Sequence, residues 1–143
     1  MAGSAHGNDF NRRVIEEFRA NEGRVGGELA GTTVILVHHV GATTGSVHVV
    51  PLIGTPHGDG QLVIVASNAG SPTHPDWYHN LRAHPRVTVE LGVRTFTAQA
   101  DELDPSARAD LWPQLAAASP ALSEFQSRTE RVIPVLVLTP LPE

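Results

Sequence analysis

Apolar residues recur at two spacings along this chain, and the switch between them marks out its elements. Phe10, Val14, Ile15 and Phe18 fall near one helical face. They predict a helix over Asp9–Asn21, with Asn8 or Asp9 as the start signal and Gly23 as the stop. Thr33–Val40 is rich in β-branched residues, Ser46–Ile53 returns from it, and Gln61–Ser67 is a third apolar strand. The segments Gly41–Gly45 and Thr55–Gly60 read as the turns between them. His74–Ala83 is a short helix with Pro75 at its first position, and Trp77 and Leu81 share a face. Alternation in Val87, Val89 and Leu91 predicts a hairpin of Arg86–Leu91 and Val93–Ala100 about Gly92. Helices follow over Pro105–Ala118 and Ala121–Thr129, and Val132–Leu138 is a last buried strand. Short turns impose antiparallel pairing. About six such strands predict a mainly β (α+β) domain over residues 1–143, a small barrel split by the helices that interrupt it. Residues 1–8 are expected to be flexible, ahead of a helical segment over 9–23.

Composition narrows the function. There is no cysteine, which excludes disulfides, thiolate catalysis and Cys-ligated metal centres. A net charge of −5, with 17% charged residues, argues against nucleic acid as a partner. No apolar run suits export or a bilayer span, so a cytoplasmic protein without membrane insertion is expected. The chain contains no Lys at all, and between Val25 and Leu81 it contains no Arg either. That cation-free stretch holds the turn Gly41-Ala42-Thr43-Thr44-Gly45, whose backbone donors suit an anion. Phosphate sites usually add Lys or Arg to such donors.

Each motif has a plain reading beside the functional one. The glycine turn alone is an ordinary hairpin loop, and Thr43 and Thr44 are common turn residues. Eight histidines invite a metal site, but His74, His79 and His84 are five apart, and His38 and His39 point to opposite faces of a strand. No metal is expected. His48 differs, because strand alternation aims it beside the glycine turn. Trp77 alone reads as a helix anchor, while Tyr78, the only tyrosine, and Asn80 suit polar contact with a ring system. Gly-x-Ser-x-Gly is absent, and Ser67 has no elbow around it. Glu16-Glu17 and Asp101-Glu102 read as solvated charges.

Taken together, four segments resemble the deazaflavin (coenzyme F-420)-dependent nitroreductase and quinone reductase family. They are Val34 to Leu52, Val65 to Gly70, His74 to Leu81 and Arg131 to Val135. The resemblance covers nearly all of the chain after Phe10. It implies a split β-barrel, a homodimer, coenzyme F-420 as cofactor, and hydride transfer to a small-molecule substrate: a quinone, nitro compound or activated enone. By position, it puts Thr43, Thr44 and His48 at the phosphate and tail. Pro51, Ile53, Val65, Ser67 and Asn68 would line the ring, with Asp76, Trp77 and Asn80 on its other side. His48, Ser67 and Tyr78 are the candidate catalytic groups. Three positions that carry Lys or Arg in the family pattern hold Thr43, His48 and Asn68 here, and the region matching its substrate-side tyrosines offers Ser119, Leu122 and Phe125. Two other functions stay open on the same scaffold. One is a cofactor-independent cyclase or isomerase of specialised metabolism, using His48, Tyr78 or Asp76. The other is a non-catalytic carrier of an apolar ligand.

Overall fold

The computed structural model describes residues 2–29 and 31–142. Helix α1 (Ala2–Ala20) is followed by strands β1 (Val34–Val40), β2 (Val47–Ile53), β3 (Thr55–His57) and β4 (Gln61–Val65). Then come α2 (Asp76–Ala83), β5 (Arg86–Leu91), β6 (Arg94–Glu102), α3 (Pro105–Ala118), α4 (Ala121–Ser127) and β7 (Val135–Pro140). All seven strands join one antiparallel sheet in the order β2-β1-β5-β6-β7-β4-β3.

The two edge strands of that order, β2 and β3, are consecutive in the chain, with only Gly54 between them. The sheet therefore curls until its edges meet at one bent strand. The bend is tight: Gly54 N donates to the Thr33 carbonyl at 2.9 Å, and a Cβ on Gly54 would lie 3.0 Å from Ile35 Cδ1. Curling gives the sheet an inside and an outside, and period-two alternation sorts side chains between them. Ile35, Val37, Leu62, Ile64, Val87, Val89, Ala98, Ala100, Leu136 and Leu138 fill the inside, capped by Trp77, Tyr78 and Leu81 of α2. Outside, Val14 and Phe18 of α1 pack on Val34 and Leu36. Leu115 of α3 packs on Val63, Val135 and Val137.

The structure departs from the sequence expectations at several places. Seven strands form rather than six, because Thr55–His57 pairs with β4 instead of turning, and only residues 58–60 turn. Residues Ala2–Asn8 carry helical backbone as part of α1, and Met1 lies outside the described residues. Pro75 stands at the N-cap of α2 rather than inside it. The last strand starts at Val135 rather than Val132, because the residues ahead of it bond elsewhere. Pro134 O accepts from Ala66 N, and Arg131 binds the loop after β4. Helix α1 is fixed to the sheet by Arg19 Nη2, which donates to Glu90 Oε2 at 2.7 Å. That bond to Arg19 is the main cause holding the Glu90 carboxyl below its ordinary range.

Candidate active site

A cleft of about 620 Å³ opens where the β1–β2 turn meets α2. Its walls are Asn11 of α1, His39 of β1, Gly41–Thr44 of the turn, His48–Val50 of β2, and Asp76, Trp77, His79 and Asn80 of α2. Volumes of this order are typical of small-molecule sites. Among the described residues the lining includes no Arg, and Asp76 is its one carboxylate.

Local hydrogen bonding decides which groups of the turn are free. Gly41 N donates to Ser46 O at 2.8 Å, and Gly45 N to Gly41 O at 3.0 Å. Ala42 N donates to Asn80 Oδ1 at 2.9 Å, and Ser46 N to Thr44 Oγ1 at 3.2 Å. Four of the six amides from 41 to 46 are thus engaged. The main-chain N–H groups of Thr43 and Thr44 make no hydrogen bond among the described residues. Both hydroxyls can still donate.

Behind the turn lie two histidines. His39 and His48 stand directly opposite in the β1–β2 register, so they share a sheet face, with ring centroids 5.5 Å apart and 31° between planes. His39 is buried, and His48 is exposed. His39 Nδ1 pairs with Asn80 Nδ2 at 2.9 Å. Burial, and then the neighbouring His48, lowers the His39 pKa from 6.5 to about 4. An unfolded chain therefore binds a proton on this residue at a higher pH than the folded one. The stability it contributes is full above about pH 6.5 and drains away as the pH falls toward 4. The shift corresponds to at most about 3 kcal/mol. Replacing His39 by Gln should flatten this acid limb. Urea denaturation near about pH 7 and near about pH 4.5 checks it: the wild type should lose about 2–3 kcal/mol more between the two than His39→Gln does.

Of the residues expected at the site, Thr43, Thr44, His48, Asp76, Trp77 and Asn80 meet in the cleft. The others do not. Val50 and Leu52 face the barrel interior, so by alternation Pro51 and Ile53 face outward, and Ile53 is 45% exposed. Val65 packs on the α3 side of the sheet. Ser67 and Asn68 lie in a tight turn after β4. There Arg131 Nη2 donates to Ser67 O at 2.7 Å, and Asn68 Nδ2 donates to Thr73 O at 3.0 Å. Tyr78 is buried in the core, and its hydroxyl donates to Glu102 Oε1 at 2.6 Å. Burial and that bond raise its pKa, so its proton is committed to Glu102. The groups that sequence reasoning passed over are His39, His79 and Asn11. His39 was legible, since a hairpin pairing Val40 with Val47 pairs His39 with His48. Nothing in the sequence joins Asn11 to the β1–β2 turn.

Comparison with known proteins decides the family. The F420H(2)-dependent quinone reductase model matches residues 10–140. The chain belongs to that family. It is 39% identical over 127 residues to an F420H(2)-dependent quinone reductase of Mycobacterium tuberculosis, covering 85% of this chain and 84% of that one. Among solved structures, an F420-H2 dependent reductase (FDR-A) is 34% identical, with a TM-score of 0.66 over 74% of this chain and 93% of its own. A second structure, described as a domain-swapped dimer, is 32% identical, with a TM-score of 0.68 over 92% and 98% of the two chains. Both are similar along most of the barrel, which establishes the split-barrel fold.

Family membership implies coenzyme F420. The cleft fits such a group in its donors: Thr43 and Thr44, with free main-chain N–H groups and two hydroxyls, and the imidazoles of His39, His48 and His79 line one space. It matches the negative charge with hydrogen bonds rather than with fixed cations. Among the described residues, no group of three or more His, Asp and Glu side chains is arranged to hold a metal ion. No helix is long and apolar enough to cross a membrane, among the residues described.

Proposed function

We propose that this protein is a cytoplasmic, homodimeric oxidoreductase that binds coenzyme F420 in the α2 cleft and reduces a quinone, nitro compound or activated enone. The observation that carries this reading is the convergence of the free Thr43 and Thr44 amides with Asn80, His48 and Trp77 on one cleft, in a member of this family. Thr43, Thr44 and His48 hold the anionic phosphate and tail. Asp76, Trp77 and Asn80 form the wall against the ring. When bound, the reduced deazaflavin supplies the hydride. The acceptor also takes up a proton, which water supplies. Trp77 excludes water from the deep end of the cleft. The domain-swapped neighbour supports the homodimer.

Oxidation of the reduced cofactor, followed at its absorption band with each acceptor class, tests the reading. Turnover should require the cofactor. Conversion of a substrate that is indifferent to added cofactor would favour the cyclase or isomerase instead. Binding gives a second test. Thr43→Lys places an ammonium beside the two free amides, and one charge-assisted contact contributes roughly 1.5–3 kcal/mol. The variant should bind the oxidised cofactor about 10- to 100-fold more tightly than the wild type. Unchanged affinity would remove the β1–β2 turn from the phosphate site.

A further inference from the structure

We propose that Asn80 locks His39 in a single neutral tautomer, so that His39 Nε2–H is a fixed, uncharged donor to an anionic oxygen in the cleft. This rests on the reading that the cleft takes an anionic cofactor; it assigns a part to His39, which that reading does not use, and a second part to Asn80.

A chain of donors fixes the tautomer. Ala42 N–H can only donate, so the atom it meets at 2.9 Å is the amide oxygen of Asn80. The other end of that amide, Nδ2, is therefore the donor facing His39 Nδ1 at 2.9 Å. A donor-only group leaves Nδ1 unprotonated, and a neutral imidazole with bare Nδ1 carries its proton on Nε2. Protonating Nδ1 would set N–H against N–H. His39 Nε2 has no side-chain partner among the described residues, and no buried side-chain nitrogen or oxygen there is left unsatisfied. Nε2 is thus open on the cleft that His39 lines.

The surroundings explain why a neutral donor is useful. His39 is faced by His48 from β2 and by Asp76 from α2, with His38 beside it on its own strand, and His79 also lines the cleft. A charged His39 would crowd His48, and Asp76 repels an anion. Held neutral, His39 offers direction without charge. The same Asn80 side chain holds the turn through Ala42, so α2, β1 and the turn are set by one amide.

Side-chain nitrogen NMR of the wild type tests the lock. Nδ1 of His39 should be unprotonated and Nε2 protonated, unchanged between about pH 6 and 8. In Asn80→Asp the carboxylate can only accept, so Nδ1 should become protonated and His39 should titrate at higher pH. Oxidised F420 should then bind that variant about tenfold more weakly near about pH 8, with the loss recovered toward about pH 6 as imidazolium forms. A second pair keeps the test independent of how well Asn80→Asp folds. His39→Gln retains an acceptor for Asn80 and a neutral donor, and should bind within about threefold of wild type, whereas His39→Leu should lose about tenfold. Wild-type His39 protonated at Nδ1, or equal affinities for the Gln and Leu variants, overturns the proposal and leaves the cofactor reading standing. A wild type that does not bind the cofactor overturns that reading, and this proposal with it.

Discussion

Trp77→Ala is expected to cost about 3–5 kcal/mol of folding stability, the usual range for truncating a large buried aromatic. Trp77 is 8% exposed and sits in the first turn of α2, with one part in the main core beside Tyr78 and Leu81 and another on the cleft. Removing the indole leaves a cavity between α2 and the sheet, which the rigid strand framework cannot close. A domain of this size has roughly 5–15 kcal/mol in total, so the variant keeps only part of its margin. Equilibrium urea unfolding followed by far-ultraviolet circular dichroism measures the loss without relying on tryptophan emission. A cost below about 1 kcal/mol would show that α2 does not seal the barrel. Trp77→Phe keeps an aromatic ring in the core and separates stability from binding. It should fold, with its cofactor affinity reduced by the altered wall.

Gly23→Ala is expected to be nearly as damaging, for a backbone reason. Helix α1 ends with Glu22 at a left-handed φ of 57° and Gly23 N donating to Phe18 O at 2.7 Å, the six-to-one bond of a Schellman ending. Gly23 has φ +93°, and a Cβ there would stand 2.6 Å from Gly92 Cα and 2.9 Å from Gly92 N. Those atoms are main chain of the β5–β6 turn and cannot swing aside. The substitution combines the left-handed penalty, about 1–2 kcal/mol, with a forced separation of α1 from the hairpin, and about 3 kcal/mol or more should be lost in all. Gly27→Ala is the internal comparison. Its φ is +64°, but nothing lies within 4 Å of the added carbon, so only the penalty of about 1 kcal/mol should appear. Equal costs at the two positions would show that the contact with Gly92 is not what holds the helix end.

The strands whose sequence alternates were the readable ones. Val87, Val89 and Leu91 identified β5, and the β-branched run over Thr33–Val40 identified β1. β3 was hidden because Thr55-Pro56-His57 is short, polar and proline-bearing, a composition that suits an edge strand and also a turn. The start of β7 was misread because Val132 and Ile133 look like strand residues, while Pro134 and Arg131 commit that stretch to the loop after β4. The candidate site was partly legible for the same kind of reason. Alternation put His48 beside the turn, and a register extended by one more pair would have added His39. It also put Pro51 and Ile53 on the outer face, where the family resemblance had suggested ring contacts. Tyr78 is one residue from Trp77, yet only three dimensions show its hydroxyl turned away to Glu102. The Asn80 amide spans 38 residues to Ala42 and 41 to His39, a link that no local pattern encodes.

On the proposed reading, a cleft lined by no Arg among the described residues, in a chain without Lys, holds an anionic deazaflavin through main-chain amides, hydroxyls and imidazoles. Titrating the wild-type protein with oxidised coenzyme F420, with fluorescence quenching as readout, measures this directly. Saturable quenching on the order of tens of micromolar, between about pH 6 and 7.5, is the expected result. No quenching at such concentrations anywhere in that range would contradict it, and would return the cleft to a ligand that needs no anion site.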